Sequence, residues 1–166
     1  IAKKNKILEQ RAYLDVHTGL PNKSRCEELL HDMRLITEPV ACVMFDLNNL
    51  KRVNDTLGHE MGDRYIESFS AILAGMQNER ISAYRIGGDE FLVICTQIDE
   101  NTLIKHITEL KELMKERSVN MAAGVIWREN VITGFDEMLR ESEERMYADK
   151  AQYYKEKGVE RRKGRA

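Results

Sequence analysis

The chain has 166 residues, of which 42% are hydrophobic and 33% charged, and its formal net charge is −2. That length suits one domain with a sizeable core, and the near balance of charge gives no global electrostatic basis for binding nucleic acid or an anionic membrane. No apolar run approaches the roughly 20 residues that a bilayer-spanning helix needs, the opening residues carry no secretory leader, and the sequence begins with Ile1, as expected of a piece excised from a longer protein.

The first segment, residues 1–16, is charged and helix-prone, with Ile1, Ile7, Leu8 and Leu14 at spacings that fill only about two heptads, too few to define a coiled coil. It reads as a stalk arriving from an upstream domain or as a frayed terminal helix. Thr18-Gly19-Leu20-Pro21-Asn22 breaks the pattern. A helix is predicted over residues 23–36, with Leu29, Leu30 and Met33 on one face. The unbroken apolar run at residues 40–45 predicts a central strand covered on both faces. The strand stops at Asp46, which is thereby placed at its C-terminal edge as a functional group or as a helix cap.

A short helix is expected from about Leu47 to Leu57. An interruption at residues 58–63 separates it from a second helix reaching Gly75, with Tyr65, Ile66, Phe69, Ile72 and Leu73 as its core face. Two strand-like runs, residues 81–86 and 91–95, flank Gly87-Gly88. They predict a tight hairpin in which the glycines supply the positive φ of a primed turn. Residues 101–117 form an amphipathic helix with Leu103, Ile104, Ile107, Leu110 and Met114 inward. Residues 120–127 read as a strand, and residues 135–157 as a long closing helix with Phe135, Met138, Leu139, Met146 and Tyr147 inward. The tail from residue 158 is basic through Arg161, Arg162, Lys163 and Arg165 and reads as a disordered end or linker. The order βααββαβ plus a closing helix defines an α+β class: a ferredoxin-like or palm-like core with a central, mostly antiparallel sheet flanked by helices.

Cys26, Cys42 and Cys95 form no CxxC pair, and Cys42 and Cys95 read as small core residues, which suits a reduced, cytoplasmic compartment. The histidines lack the spacing of zinc ligands. The chemistry gathers elsewhere. If the strand ending at Asp46 neighbours the hairpin, Asp46, Asp89 and Glu90 converge on one edge, and hard oxygen ligands so arranged suit Mg²⁺ shared with substrate phosphates. Without a cation the three carboxylates would repel one another and raise each other's pKa. Lys51 and Arg85 are candidate phosphate contacts or surface charges. Asn54 and Asp63 could read a guanine, the amide donating to a ring acceptor and the carboxylate accepting from N1–H and the 2-amino group, or could cap the helices around the break.

Taken together these residues resemble the GGDEF family of diguanylate cyclases. Gly87-Gly88-Asp89-Glu90-Phe91 matches the signature in full. The block from Asp46 through Lys51, Asn54 and Asp55 to Gly58-His59-Glu60-Met61-Gly62-Asp63 matches the upstream motif. Asp15 with Thr18-Gly19-Leu20-Pro21-Asn22 matches the turn after the signalling helix, and Met146, Tyr147 and Lys150 match the closing helix. The resemblance divides the chain into a stalk helix (1–16), a GGDEF domain (17–157) and a basic tail (158–166).

It implies Mg²⁺ or Mn²⁺ held by Asp46, the Leu47 carbonyl and the signature acids Asp89 and Glu90. It also implies a proton-accepting role for Asp89, with Glu90 close behind it, and guanine contacts from Asn54 and Asp63. Lys51 and Lys150 fall on phosphate positions, with Gly87 and Gly88 leaving room for the nucleotide beside them. The implied activity is condensation of two GTP into cyclic di-GMP, a bacterial second messenger of signal transduction, at the interface of a homodimer driven by an upstream sensory domain. The location implied is cytoplasmic, with the whole protein free or anchored in a membrane as a sensor; no nucleic-acid partner is implied.

Three positions depart from the pattern. Asn48 replaces an acid, Tyr154 stands where an arginine is common, and residues 78–81 lack the RxxD motif of product inhibition, so feedback through that site is not expected. The alternative reading is a non-catalytic GGDEF module that binds GTP or relays signals.

Overall fold

A computed structural model describes residues 1–32, 37–131 and 134–158. The last predicted turn of the second helix, with Met33, and the basic tail residues Arg161, Arg162, Lys163 and Arg165 lie outside the described residues. The elements in chain order are α1 (Ala2–Tyr13), α2 (Lys23–Asp32), β1 (Val40–Leu47), α3 (Leu50–Leu57), α4 (His59–Met76), β2 (Ile81–Arg85), β3 (Glu90–Thr96), α5 (Glu100–Glu116), β4 (Met121–Arg128) and α6 (Phe135–Glu156). The strands form one sheet in the order β2-β3-β1-β4, with every neighbouring pair antiparallel.

Every residue of β1 is buried, because β1 is an inner strand with helices over both faces. Its side chains alternate between two cores, as the two-residue period of a strand requires. Ala41, Val43, Phe45 and Leu47 join Phe69 and Leu73 of α4 and Leu103 and Met114 of α5. Val40, Cys42 and Met44 join Cys26 of α2 and Phe135, Met138 and Met146 of α6. Phe69 binds the first core together, its ring meeting Phe45 at 5.4 Å and Phe91 at 4.9 Å, edge to face in both cases.

Four expectations are corrected. The helix expected from Leu47 begins at Leu50, because the pairing of β1 with β4 runs on to Leu47 opposite Met121. Asn49 then turns the chain with φ 61, a left-handed conformation that asparagine tolerates. The break between α3 and α4 contracts to Gly58, with φ 87. Gly87 and Gly88 are not among the positive-φ residues. The turn from Ile86 to Asp89 is wider than a two-residue primed turn, closed by Ile86 N–H and Gly87 N–H both donating to the Glu90 carbonyl at 3.0 and 3.3 Å. Ile104 and Tyr147, expected inward, are 51% and 49% exposed on the outer flanks of their helices.

The approach of α6 to β4 depends on Gly124. A Cβ there would lie 1.8 Å from the Ser142 carbonyl oxygen and 2.5 Å from the Met146 nitrogen. Both obstacles are helix backbone, so no rotamer change relieves them. Gly124→Ala is therefore expected to push α6 off the sheet and cost about 1–3 kcal/mol. Urea denaturation of the variant tests this, and an unchanged midpoint would show that the helix does not seat there.

Candidate functional site

The register of β1 against β3 pairs Asp46 with Glu90. Directly opposed residues of an antiparallel pair project from the same face, here the face that α6 covers. Asp89 precedes Glu90 in the turn, and Leu47 N–H donates to the Asp89 carbonyl at 3.1 Å, tying the turn to the end of β1. Asp46, Asp89 and Glu90 each present an oxygen within 4.8 Å of the others. Hard oxygen donors so grouped are of the type that holds Mg²⁺.

The electrostatics follow from this crowding. Asp46 is only 2% exposed. Burial pushes its carboxyl above the ordinary value and the Asp89 charge adds to that, against the bond from Lys150. Burial likewise raises Glu90, reinforced by the charges of Asp46 and Asp89. Lys150 of α6 places Nζ 2.9 Å from Asp46 Oδ1. Burial would lower this ammonium's pKa, but the carboxylate outweighs that and holds it above its ordinary value.

Beside the carboxylates lies a cleft of about 330 Å³ lined by Leu47, Asn49, Lys51, Asp89, Lys150 and Tyr154 among others. The structure thus gathers the expected metal ligands and two of the expected phosphate contacts at one end of the sheet. Gly88 faces open space, with nothing within 4 Å of a Cβ built on it, while one on Gly87 would touch Glu90 at 3.4 Å. Asn54 lies about one turn along α3 from Lys51. Its Oδ1 is buried without a partner, and a Cβ on Gly62 would fall 1.8 Å from that atom. Gly62 therefore makes room for the Asn54 amide against α4, next to Asp63, which is exposed.

Arg85, expected as a phosphate contact, is occupied otherwise. Its Nε donates to the Gly87 carbonyl at 3.2 Å and its Nη2 to the Gly88 carbonyl at 2.7 Å. Its Nη1 donates to Asp15 Oδ2 at 3.0 Å and meets His17 Nδ1 at 3.2 Å. Asp15 also accepts from the Thr18 amide and hydroxyl. Burial opposes ionisation of Asp15, yet these bonds together hold its pKa below the ordinary value. The guanidinium is a brace from the turn after α1 to the glycine turn. Asn78, on the absent inhibitory motif, accepts from the Arg80 and Ile81 amides and caps the start of β2.

Sequence reasoning missed Gly62 as the spacer for Asn54 and Asn49 as the pivot between β1 and α3. Asn49 N–H donates to the Tyr154 hydroxyl and its Nδ2 to the Tyr153 hydroxyl, each at 2.9 Å. An asparagine just past a strand, before a helical period, was the only available signal for that pivot.

The sequence profile described as diguanylate cyclase, GGDEF domain, matches residues 12–156. The chain belongs to the GGDEF family. It is 27% identical over 122 residues to the diguanylate cyclase DgcZ of Escherichia coli, covering 72% of this chain and 41% of that protein. It is 37% identical over 95 residues to the cyclic di-GMP phosphodiesterase PdeR of the same organism, covering 55% of this chain and 14% of that protein. The chain thus spans less than half the length of either relative. A solved microbial GGDEF domain, studied for its interaction with cyclic di-GMP, superposes with a TM-score of 0.76 at 25% identity, over 87% of this chain and 94% of that one. No helix among the described residues is long and apolar enough to cross a membrane.

Two outcomes are expected. Asp46 and Glu90 bind protons more readily in the folded chain, so the stability they allow is full below their ordinary values of 3.8 and 4.5 and declines as pH rises through the raised folded values. Denaturation of the metal-free protein between about pH 4 and 8 should record this decline and Glu90→Gln should flatten it; an identical slope in the variant contradicts the account. Arg85→Ala should loosen the glycine turn and cost about 1–3 kcal/mol by removing the donor shared by the Gly87 and Gly88 carbonyls and the counter-ion of Asp15, read by amide exchange at residues 86–89. Unchanged protection there would remove the brace.

Proposed function

We propose that this chain is the catalytic domain of a diguanylate cyclase, condensing two GTP into cyclic di-GMP with release of pyrophosphate. The observation that carries the reading is the convergence of Asp46, Asp89 and Glu90 beside a cleft that Lys51 and Lys150 line. Mg²⁺ or Mn²⁺, bound by Asp46, the Leu47 carbonyl and the signature acids, would neutralise charge developing on the reacting phosphate.

The chain's own groups do the rest. Asn54 donates from its amide to a guanine ring acceptor, and Asp63 accepts from N1–H and the 2-amino group. Lys51 and Lys150 hold phosphate oxygens. The 3′-hydroxyl oxygen of each GTP bonds to the α-phosphorus of the other, both α–β phosphoanhydride bonds break, and two pyrophosphates leave. The hydroxyl proton passes to Asp89 or Glu90. The described residues of one chain hold one such site, so turnover requires two domains facing each other. An upstream sensory domain would control that encounter on the cytoplasmic side, where GTP is available.

A second reading, a GGDEF module that binds GTP or relays signals without turnover, draws support from Tyr154, which puts a neutral hydroxyl where the family pattern commonly has an arginine. Incubation with GTP and Mg²⁺ decides between them. The cyclase reading expects cyclic di-GMP at a rate rising faster than linearly with protein concentration, and a loss of at least about 100-fold in Asp89→Asn or Glu90→Gln. GTP binding with no product from a dimeric preparation selects the second reading.

A further inference from the structure

The end of α6 lies on the β1–α3 junction through three side chains on one helical face. Lys150 reaches Asp46, Tyr153 accepts from the Asn49 side-chain amide, and Tyr154 accepts from the Asn49 backbone N–H. The two tyrosine rings meet edge to face at 5.3 Å, which fixes both hydroxyls over the same residue. Tyr154 also lines the cleft with Lys51 and Lys150. The hydroxyl therefore takes a main-chain donor at the mouth of the cleft.

We propose that Tyr154 is a latch on the polyphosphate cleft, a residue that sets nucleotide affinity by holding the Asn49 N–H until phosphate displaces it. This rests on the reading of that cleft as the phosphate site. The physical argument is competition for one donor. An N–H bonded to a neutral hydroxyl is available to a phosphate oxygen only once that bond is broken. The exchange favours phosphate because a charged acceptor bonds an amide about twice as strongly as a neutral one. A cation at position 154 would attract the same phosphate without holding the amide, so tyrosine here exchanges raw affinity for a threshold. Tyr153 acts beside it as a positioning residue, fixing the Asn49 side chain and leaving the backbone donor to Tyr154.

Tyr154→Phe keeps the ring and its stacking and removes only the hydroxyl. Binding of inorganic tripolyphosphate, followed by calorimetry at one fixed free Mg²⁺ concentration, should tighten roughly threefold to tenfold, the equivalent of one net hydrogen bond. Exchange of the Asn49 amide, followed by NMR without ligand, should accelerate. Tyr153→Phe should change tripolyphosphate affinity less than about twofold, since the backbone donor stays engaged. Unchanged or weaker binding in Tyr154→Phe, an equal gain in Tyr153→Phe, or no tripolyphosphate binding in any variant overturns the latch. Because the probe carries no guanine and the readout needs no turnover, a gain in Tyr154→Phe from a protein that makes no cyclic di-GMP would leave the latch standing and reject the cyclase.

Discussion

Asp46 sits on an inner strand with its side chain almost wholly withdrawn from water, and the cation nearest it, Lys150, comes from 104 residues further along the chain. A carboxylate in that position is costly to ionise unless something positive stays beside it. Much of the molecule serves that requirement. β1 is covered on both faces so that its end is dry, and α6 is drawn close over Gly124 so that an ammonium can reach the carboxylate. Glu90 and Asp89 add further negative charge at the same point. Three carboxylates against one ammonium leave an excess of negative charge at this end of the sheet.

The glycine turn depends on a second constraint of the opposite kind. Its carbonyls face a guanidinium whose other arm is fixed on Asp15, immediately after α1. The turn that presents Asp89 is thus mechanically continuous with the segment by which the chain enters the domain.

Much of the architecture was legible because its signals are strong. The apolar run of β1, the periodic faces of α4 and α5 and the paired strands around the glycines each carry their own period. The carboxylate group was legible only on the condition that the strand ending at Asp46 neighbours the hairpin, since nothing local requires residue 46 to face residue 90. What stayed hidden was set by tertiary contact. Gly87 and Gly88 take ordinary φ angles because Arg85 holds a wider turn from below. Leu47 remains in the strand because β4 offers it a partner. Ile104 and Tyr147 face outward because the helices carrying them turn other stripes to the sheet. Arg85 read as a phosphate contact because a surface arginine and a buried brace look the same until the acceptors around it are known.

The pairing of Asp46 with Glu90 has a meaning for how the molecule comes to be active. Strand pairing has a period of two, so a slip of one residue between β1 and β3 would send Glu90 toward the aromatic core and leave Asp46 facing an apolar neighbour. Such a misaligned sheet would bury a lone charge on one face and strand hydrophobic residues on the other. The acids therefore also proofread the fold: the register that lets the protein persist is the one that brings Asp46, Asp89 and Glu90 together, so a chain that has folded stably has already gathered its three carboxylates.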